Sequence, residues 1–261
     1  FIHKCIFVRY VMSDIALVVN TVHKNSDLWG MFFARLEKYV SKDFFKRKYL
    51  FTDKVNESVP EDFEVVLYDE SEMYREQFLT GIKEVQEDYC IYISEDYILY
   101  DNIKEDLLLK YKDVMAKDGI SFVKLFKGSV VETPFVPYKD YDDLFILEKN
   151  LPYYYSQSAT LWKTRDLKSI HEKGPNLHIA NIDWENSFEW NANDICLKLG
   201  LEGLFVFRKE ARRGMYHYDS SVFPHIATAL VKGTWNISEY EKELRPLLEE
   251  YKIDSSKRGE Y

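Results

Sequence analysis

The sequence predicts an α/β fold, a mostly parallel central sheet flanked by helices, on three observations. Short apolar runs of strand length recur through the first half, segments with helical apolar spacing separate most of them, and one run ends abruptly in two adjacent carboxylates. IALVV (15 to 19) is apolar at every position, which suits a strand buried on both faces. The following segment carries Leu28, Met31, Phe32, Leu36, Tyr39 and Val40 at helical spacing, completing one strand-then-helix unit. KYLFTD (48 to 53) reads as a second strand, followed by a polar turn through Pro60 and a third strand, EVVLYD (64 to 69). A helix with Tyr74, Phe78, Ile82 and Val85 on one face precedes DYCIYISEDYILYD (88 to 101), the strand that releases Glu95 and Asp96. Carboxylates at the C-terminal end of such a strand stand where open α/β sheets bind ligands. Leu107, Leu108 and Tyr111 mark another helix, and ISFVKLF (120 to 126) another strand.

The second half is less regular. Residues 127 to 160 hold Pro134, Pro137, Pro152 and many tyrosines, a composition of long surface loops near a cleft. A helix is expected from about Asn186 to Leu199, with Phe188, Ala192, Ile195 and Leu199 inward, then a strand LFVF (204 to 207). A final helix turns Tyr240, Leu244, Leu247, Leu248 and Tyr251 inward, and the polar tail DSSKRGEY is expected to fray.

Composition narrows the function classes. With 261 residues and 46% hydrophobic content the chain can bury a sizeable core. A net charge of −9 argues against a duplex nucleic-acid partner, which needs an excess of Lys and Arg. Cys5, Cys90 and Cys196 are far apart in apolar surroundings and read as buried thiols rather than a disulfide framework or a thiolate metal site. No apolar run approaches the roughly 20 residues of a membrane span, and residues 1–11 lack a signal-peptide layout, so the expectation is a cytoplasmic protein with no transmembrane segment.

The order strand, helix, strand, strand, helix, then a strand ending in acid resembles the GT-A fold of nucleotide-sugar glycosyltransferases, in particular the family 2 branch and its small bacterial or viral relatives. The resemblance covers roughly residues 14–236. It is carried by SEDY (94 to 97), which stands where that family has its Asp-any-Asp motif; by YYYSQSATLWKTRDL followed by IDWENSFE; and by GMYHYDSSVFPHI. It implies a single domain over 12–261, with a nucleotide-binding half at 12–126, an acceptor and catalytic half at 127–236 and a C-terminal helix and tail at 237–261. Residues 1–11 read as an N-terminal extension whose composition equally permits an extra strand or helix.

The resemblance implies metal-dependent transfer of a sugar, with inversion, from a nucleoside diphosphate donor to a glycan or lipid-linked acceptor. A leaving diphosphate develops charge that Mn²⁺ or Mg²⁺ on hard oxygen ligands neutralises. Asp96 is the principal expected ligand, with Glu95 binding through water or touching the donor ribose. His217 is the late histidine that completes the metal or diphosphate site, with Gly214 permitting close backbone approach and Arg212 and Arg213 forming a local basic patch. Thr21, His23 and Asn25 fill the first loop, Asp53 contacts the base, Tyr97 belongs to the donor site, and Arg75 pairs with phosphate. Glu185, with Asp183 second, is the expected general base at the start of a helix. Trp184, Trp162 and Tyr153 to Tyr155 suit stacking against sugar faces. Each has a plain alternative: strand termination for the acidic pair, a surface histidine for His217, an ion pair with Glu72 or Glu76 for Arg75, helix capping for Glu185, and core for the aromatics. Two other functions fit the layout. One is a sugar nucleotidyltransferase, disfavoured because the first loop is neither basic nor glycine-rich; the other is a binding module of the same fold without catalysis.

Overall fold

The computed structural model describes residues 13–128, 134–179, 184–214 and 217–261. The principal strands are β1 (Ile15–Asn20), β2 (Lys48–Thr52), β3 (Phe63–Leu67), β4 (Tyr89–Ser94), β5 (Ile98–Leu99), β6 (Phe122–Lys124), β7 (Leu144–Ile146), β8 (Thr160–Lys163) and β9 (Gly203–Val206). The helices are α1 (Trp29–Tyr39), α2 (Tyr74–Ile82), α3 (Glu105–Asp118), α4 (Thr164–Lys173), α5 (Phe188–Lys198) and α6 (Ile237–Glu250). Among the described residues the main sheet has eight strands in the order β3-β2-β1-β4-β8-β6-β9-β7. β8 and β7 run against the other six. The predicted α/β class, with a mostly parallel sheet flanked by helices, is what forms, and the strand and helix order behind the resemblance is present from β1 to β4.

Burial on both faces explains the uninterrupted apolar runs. Along β1, Ile15, Leu17 and Val19 enter one core cluster with Phe32 and Leu36 of α1 and Leu108, Tyr111 and Met115 of α3. Ala16 and Val18 point the other way, into a cluster with Phe78 and Ile82 of α2, Leu167 and Ile170 of α4, and Phe188 and Ala192 of α5. A third cluster sets Leu244, Leu247 and Leu248 of α6 against Leu28, Met31, Ile98 and Trp235. Among the described residues, no helix is long and apolar enough to cross a membrane.

Three expectations are corrected. The first concerns residues 127–160, which carry β7 and lead directly into β8, a strand that occupies the middle of the sheet. Tyr154, Tyr155 and Trp162 are buried core with at most 1% exposure, so these three rings do not form a sugar platform. The reason is length: strands of three and four residues, set among aromatic loops, leave no periodicity to read. Secondly, the tail does not fray. Tyr261 N donates to Trp235 O at 2.7 Å, Ser238 N to Tyr261 O at 3.0 Å and Trp235 N to Gly259 O at 3.0 Å. The third is the basic patch, because Arg213 is neutralised by Asp219 at 3.1 Å and Glu243 at 2.8 Å and lies over the Tyr240 ring. Cys90 and Cys196 are buried free thiols, as expected.

His171 is sandwiched between Phe78 and Phe188, with ring centroids 3.9 and 4.7 Å away, and burial lowers its pKa to about 3. In the unfolded chain it titrates near 6.5. The unfolded state therefore binds more protons between those values, and this group's contribution to stability is lost as pH falls from about 6.5 toward 3. His171→Phe is expected to remove at most one proton's worth of that acid sensitivity, about 1.4 kcal/mol per pH unit. Urea unfolding at pH 7 and pH 5 checks it: the stability difference between the two should be smaller in the variant than in the wild type.

Candidate functional site

The sheet reverses its strand order at β1, with β2 and β3 on one side and β4 on the other. The crevice beyond the carboxyl ends of β1 and β4 is thus a topological switch point, the place where α/β sheets bind ligands. The β1–β4 register ends with Asn20 beside Ser94, which sets Thr21 and Glu95 side by side just past the sheet. Asp53 follows the end of β2 in the same row.

Hydrogen bonds weld this row into one cluster. The Trp29 indole N–H donates to Thr21 Oγ1 at 3.0 Å, and the Tyr68 hydroxyl to Thr21 O at 2.6 Å. His23 N donates to Asp53 Oδ1 at 2.7 Å, and Asn25 Nδ2 to Glu95 Oε1 at 2.5 Å. Thr21, His23, Asn25, Asp53 and Glu95 are therefore brought together as the sequence reading expects. Glu95 is 5% exposed, and burial raises its pKa. Asp96 is raised well above the ordinary aspartate value, first by burial and then by the charge of Glu95. Two adjacent carboxylates under mutual repulsion are a favourable place for a cation.

A further carboxylate, Glu189, is linked to the acidic pair through Tyr97 and Gln157. The Tyr97 hydroxyl donates to Gln157 O, and Gln157 N donates to Glu189 Oε1 at 2.8 Å. Glu189 lies in the first turn of α5, which Ser187 caps by accepting from Trp190 N at 3.2 Å. Burial raises its pKa. Nearby Lys124, at the end of β6, is buried and lowered to about 8 by that burial; it donates to Tyr153 O and to Ser156 Oγ at 2.8 Å. Sequence reasoning passed over Glu189, although its place in the first helical turn was visible. What singles it out is that it is half-buried and held by Gln157 N–H, whereas Glu185, four residues earlier in the turn Trp184–Asn186, is exposed. Asp183 lies outside the described residues.

Two expected residues have other engagements. Arg75 donates from Nη1 to Gly174 O at 2.9 Å and from Nε to Glu76 Oε1 at 3.0 Å, fastening α2 to the end of α4. The alternative ion pair with Glu76 is the contact that forms. His217 is buried between Phe126 and Tyr240, with Nε2 bonded to the Tyr240 hydroxyl, so that nitrogen is committed within the core. Burial, with the nearby charge of His225 second, lowers its pKa to about 3. It is His225 that packs on Tyr97, with ring centroids 5.3 Å apart, because His225 pairs with Leu99 of β5 in a short antiparallel ribbon. Among the described residues, two buried imidazole nitrogens, His23 Nδ1 and His225 Nε2, have no hydrogen-bond partner.

No protein-family model matches the chain, and no curated protein matches it. Solved structures with a similar course of the chain include S. aureus TarS, with TM-score 0.49 and 15% identity, covering 79% of this chain and 36% of that one. TarS 1–349 in complex with UDP gives TM-score 0.49 and 13% identity over 78% of this chain and 59% of that one. The bifunctional IspDF from Campylobacter jejuni gives TM-score 0.44 and 11% identity over 78% of this chain and 52% of that one. The chain thus spans less than two thirds of the length of each of these three.

Relieving the repulsion at the acidic pair is expected to stabilise the protein. Asp96→Asn should raise the Tm in metal-free buffer, where about 1 kcal/mol corresponds to about 2–4 °C in a protein of this size. MnCl₂ is expected to raise the Tm of the wild type and not that of the variant. Thermal unfolding of both proteins with and without MnCl₂ measures both effects. A wild type indifferent to MnCl₂ and an unchanged variant would deny the pair a cation-binding role.

Proposed function

We propose that the chain is a glycosyltransferase that moves a sugar from a nucleoside diphosphate donor to an acceptor hydroxyl with inversion. One observation carries this reading: a repelling carboxylate pair at the switch point is linked through Tyr97 and Gln157 to a separate half-buried carboxylate, Glu189. Single displacement at an anomeric carbon needs that division of labour, with charge neutralisation on the leaving-group side and a base on the acceptor side.

The nucleoside would lie over the first loop, with Asp53 accepting from the base and Thr21, His23 and Asn25 shaping the cradle. Mn²⁺ or Mg²⁺ suits the chemistry of the acidic pair, and Glu95 and Asp96 are the residues that would hold it. Among the described residues no group of three or more His, Cys, Asp or Glu side chains is arranged for a metal. Such ions are commonly held by one or two carboxylates together with substrate phosphates and water. Bound there, the ion would supply positive charge to the departing diphosphate.

Glu189 takes the acceptor proton. As the hydroxyl oxygen bonds to the anomeric carbon, the bond from that carbon to the phosphate oxygen breaks, the proton passes to the Glu189 carboxylate, and the electron pair leaves on the diphosphate. The Gln157 N–H holds Glu189 in place, and burial makes it a stronger base than an exposed glutamate. Glu185, expected as the base, is exposed and takes no part in this scheme.

Glu189→Gln is expected to lower turnover by about 10²- to 10⁴-fold while leaving donor affinity unchanged, whereas Glu185→Gln stays near wild type. The checks are release of nucleoside diphosphate from a panel of nucleotide sugars and calorimetric donor binding, with UDP-GlcNAc and UDP, the ligands of the TarS structures, tried first. The acid limb of the pH profile should lie above the ordinary glutamate value, since a base raised by burial must lose its proton before it can act. Full activity in Glu189→Gln would sink the assignment. Nucleotide binding with no turnover in any form would indicate a binding module.

A further inference from the structure

The C-terminal segment returns to the opposite end of the chain and closes on the candidate donor loop. Asp254 caps the turn Ser255–Lys257, accepting from Ser256 N at 3.1 Å. Gly259 then turns the backbone at φ +76°, a conformation that disfavours residues with a Cβ. The strap is fastened beyond that point through Glu260, which receives two bonds from Arg245 at 3.2 and 3.1 Å, and through the backbone bonds of Tyr261 to Trp235 and Ser238.

This path delivers one side chain to the first loop. Arg258 donates from Nε to Asp27 Oδ2 at 2.7 Å and from Nη2 to Asp27 Oδ1 at 2.5 Å, a bidentate pair. Nη2 also reaches Asn25 Oδ1 at 3.2 Å, and Nη1 reaches Gly233 O at 3.3 Å. The Arg258 side chain is only 15% exposed, although Asp27 is 46% exposed.

The contact with Asn25 decides which way an amide points. An asparagine side chain presents an acceptor at one end and donors at the other, and its two orientations differ little without partners. Here a guanidinium, which only donates, holds Oδ1, and the Glu95 carboxylate receives Nδ2–H at 2.5 Å. Turned over, Asn25 would set its oxygen against the Glu95 carboxylate and its N–H groups against Arg258. Arg258 therefore selects the orientation that ties the first loop to Glu95, across more than 230 residues of sequence.

We propose that Arg258 is a positioning residue of the donor site: the C-terminal strap acts through Asn25 to lock the first loop onto the acidic pair, and donor binding depends on that lock. The proposal rests on reading this edge as the donor site. It makes the tail part of the binding apparatus, although no residue of it need touch the nucleotide.

The test is calorimetric titration of UDP and other nucleoside diphosphates, with MnCl₂, into the wild type, Arg258→Met, Arg258→Lys, Asn25→Ala and the Asn25→Ala/Arg258→Met double variant. Hydrogen exchange at the amides of residues 22–28 is followed in parallel. Arg258→Met is expected to weaken binding about tenfold, the scale of one lost charge-assisted hydrogen bond, and to speed exchange in the loop. Arg258→Lys should restore part of the affinity, since it keeps the charge and loses the fork. In the Asn25→Ala background, Arg258→Met should cost little more. Wild-type affinity in Arg258→Met, or fully additive losses in the double variant, would overturn the proposal. Failure of the wild type to bind any nucleotide would instead remove the donor-site reading, while unchanged loop exchange in Arg258→Met would remove the lock itself.

Discussion

The pairing of β1 with β4 is the constraint on which the rest of the molecule depends. Both strands are fully paired and buried on both faces, and their parallel register sets Thr21 next to Glu95 where the sheet ends. A slip of one residue would turn every β1 side chain to the wrong face and separate the first loop from the acidic pair together. Core packing and site geometry are thus determined by the same ladder. Because the strand order reverses at β1, the connecting chain leaves a crevice at this edge, into which the polar residues project.

The electrostatics of that edge run against stability. Glu95, Asp96 and Glu189 are carboxyl groups whose burial disfavours the charged form, and Lys124 is a buried amine pushed the opposite way. Elsewhere the protein neutralises its charges: Arg213 meets Asp219 and Glu243, and Arg75 meets Glu76. Strain held at one edge and relieved elsewhere is the usual signature of a site kept for function. Arg258 moderates it without an ion pair to Glu95: against the burial that raises the Glu95 pKa its charge acts to lower it, while its side chain is held by Asp27 and Asn25.

Legibility from sequence followed the length of each signal. β1, β2, β3 and β4, with α1, α2 and α3, were readable because each carried a short apolar run or apolar residues at helical spacing. Glu95 and Asp96 were readable because two adjacent acids end an apolar run. β8 was not, since four residues between aromatic loops look the same whether they form a central strand or a surface turn. His217 and His225 could not be ranked, because the Tyr240 hydroxyl that occupies one and the β5 ribbon that seats the other come from distant segments.

By itself, then, the sequence determined the α/β class and the order of elements from β1 to β4, and it singled out the first loop and the acidic pair that the structure brings side by side. Those features depend on local periodicity and on chain order along adjacent strands. Tertiary structure alone decided that Glu189 is the half-buried carboxylate and Glu185 the exposed one, that Arg75 fastens two helices, and that the polar tail is docked with Arg258 over the first loop. Burial and long-range hydrogen bonding separate residues of identical type, and neither is a property of a residue's neighbours in sequence.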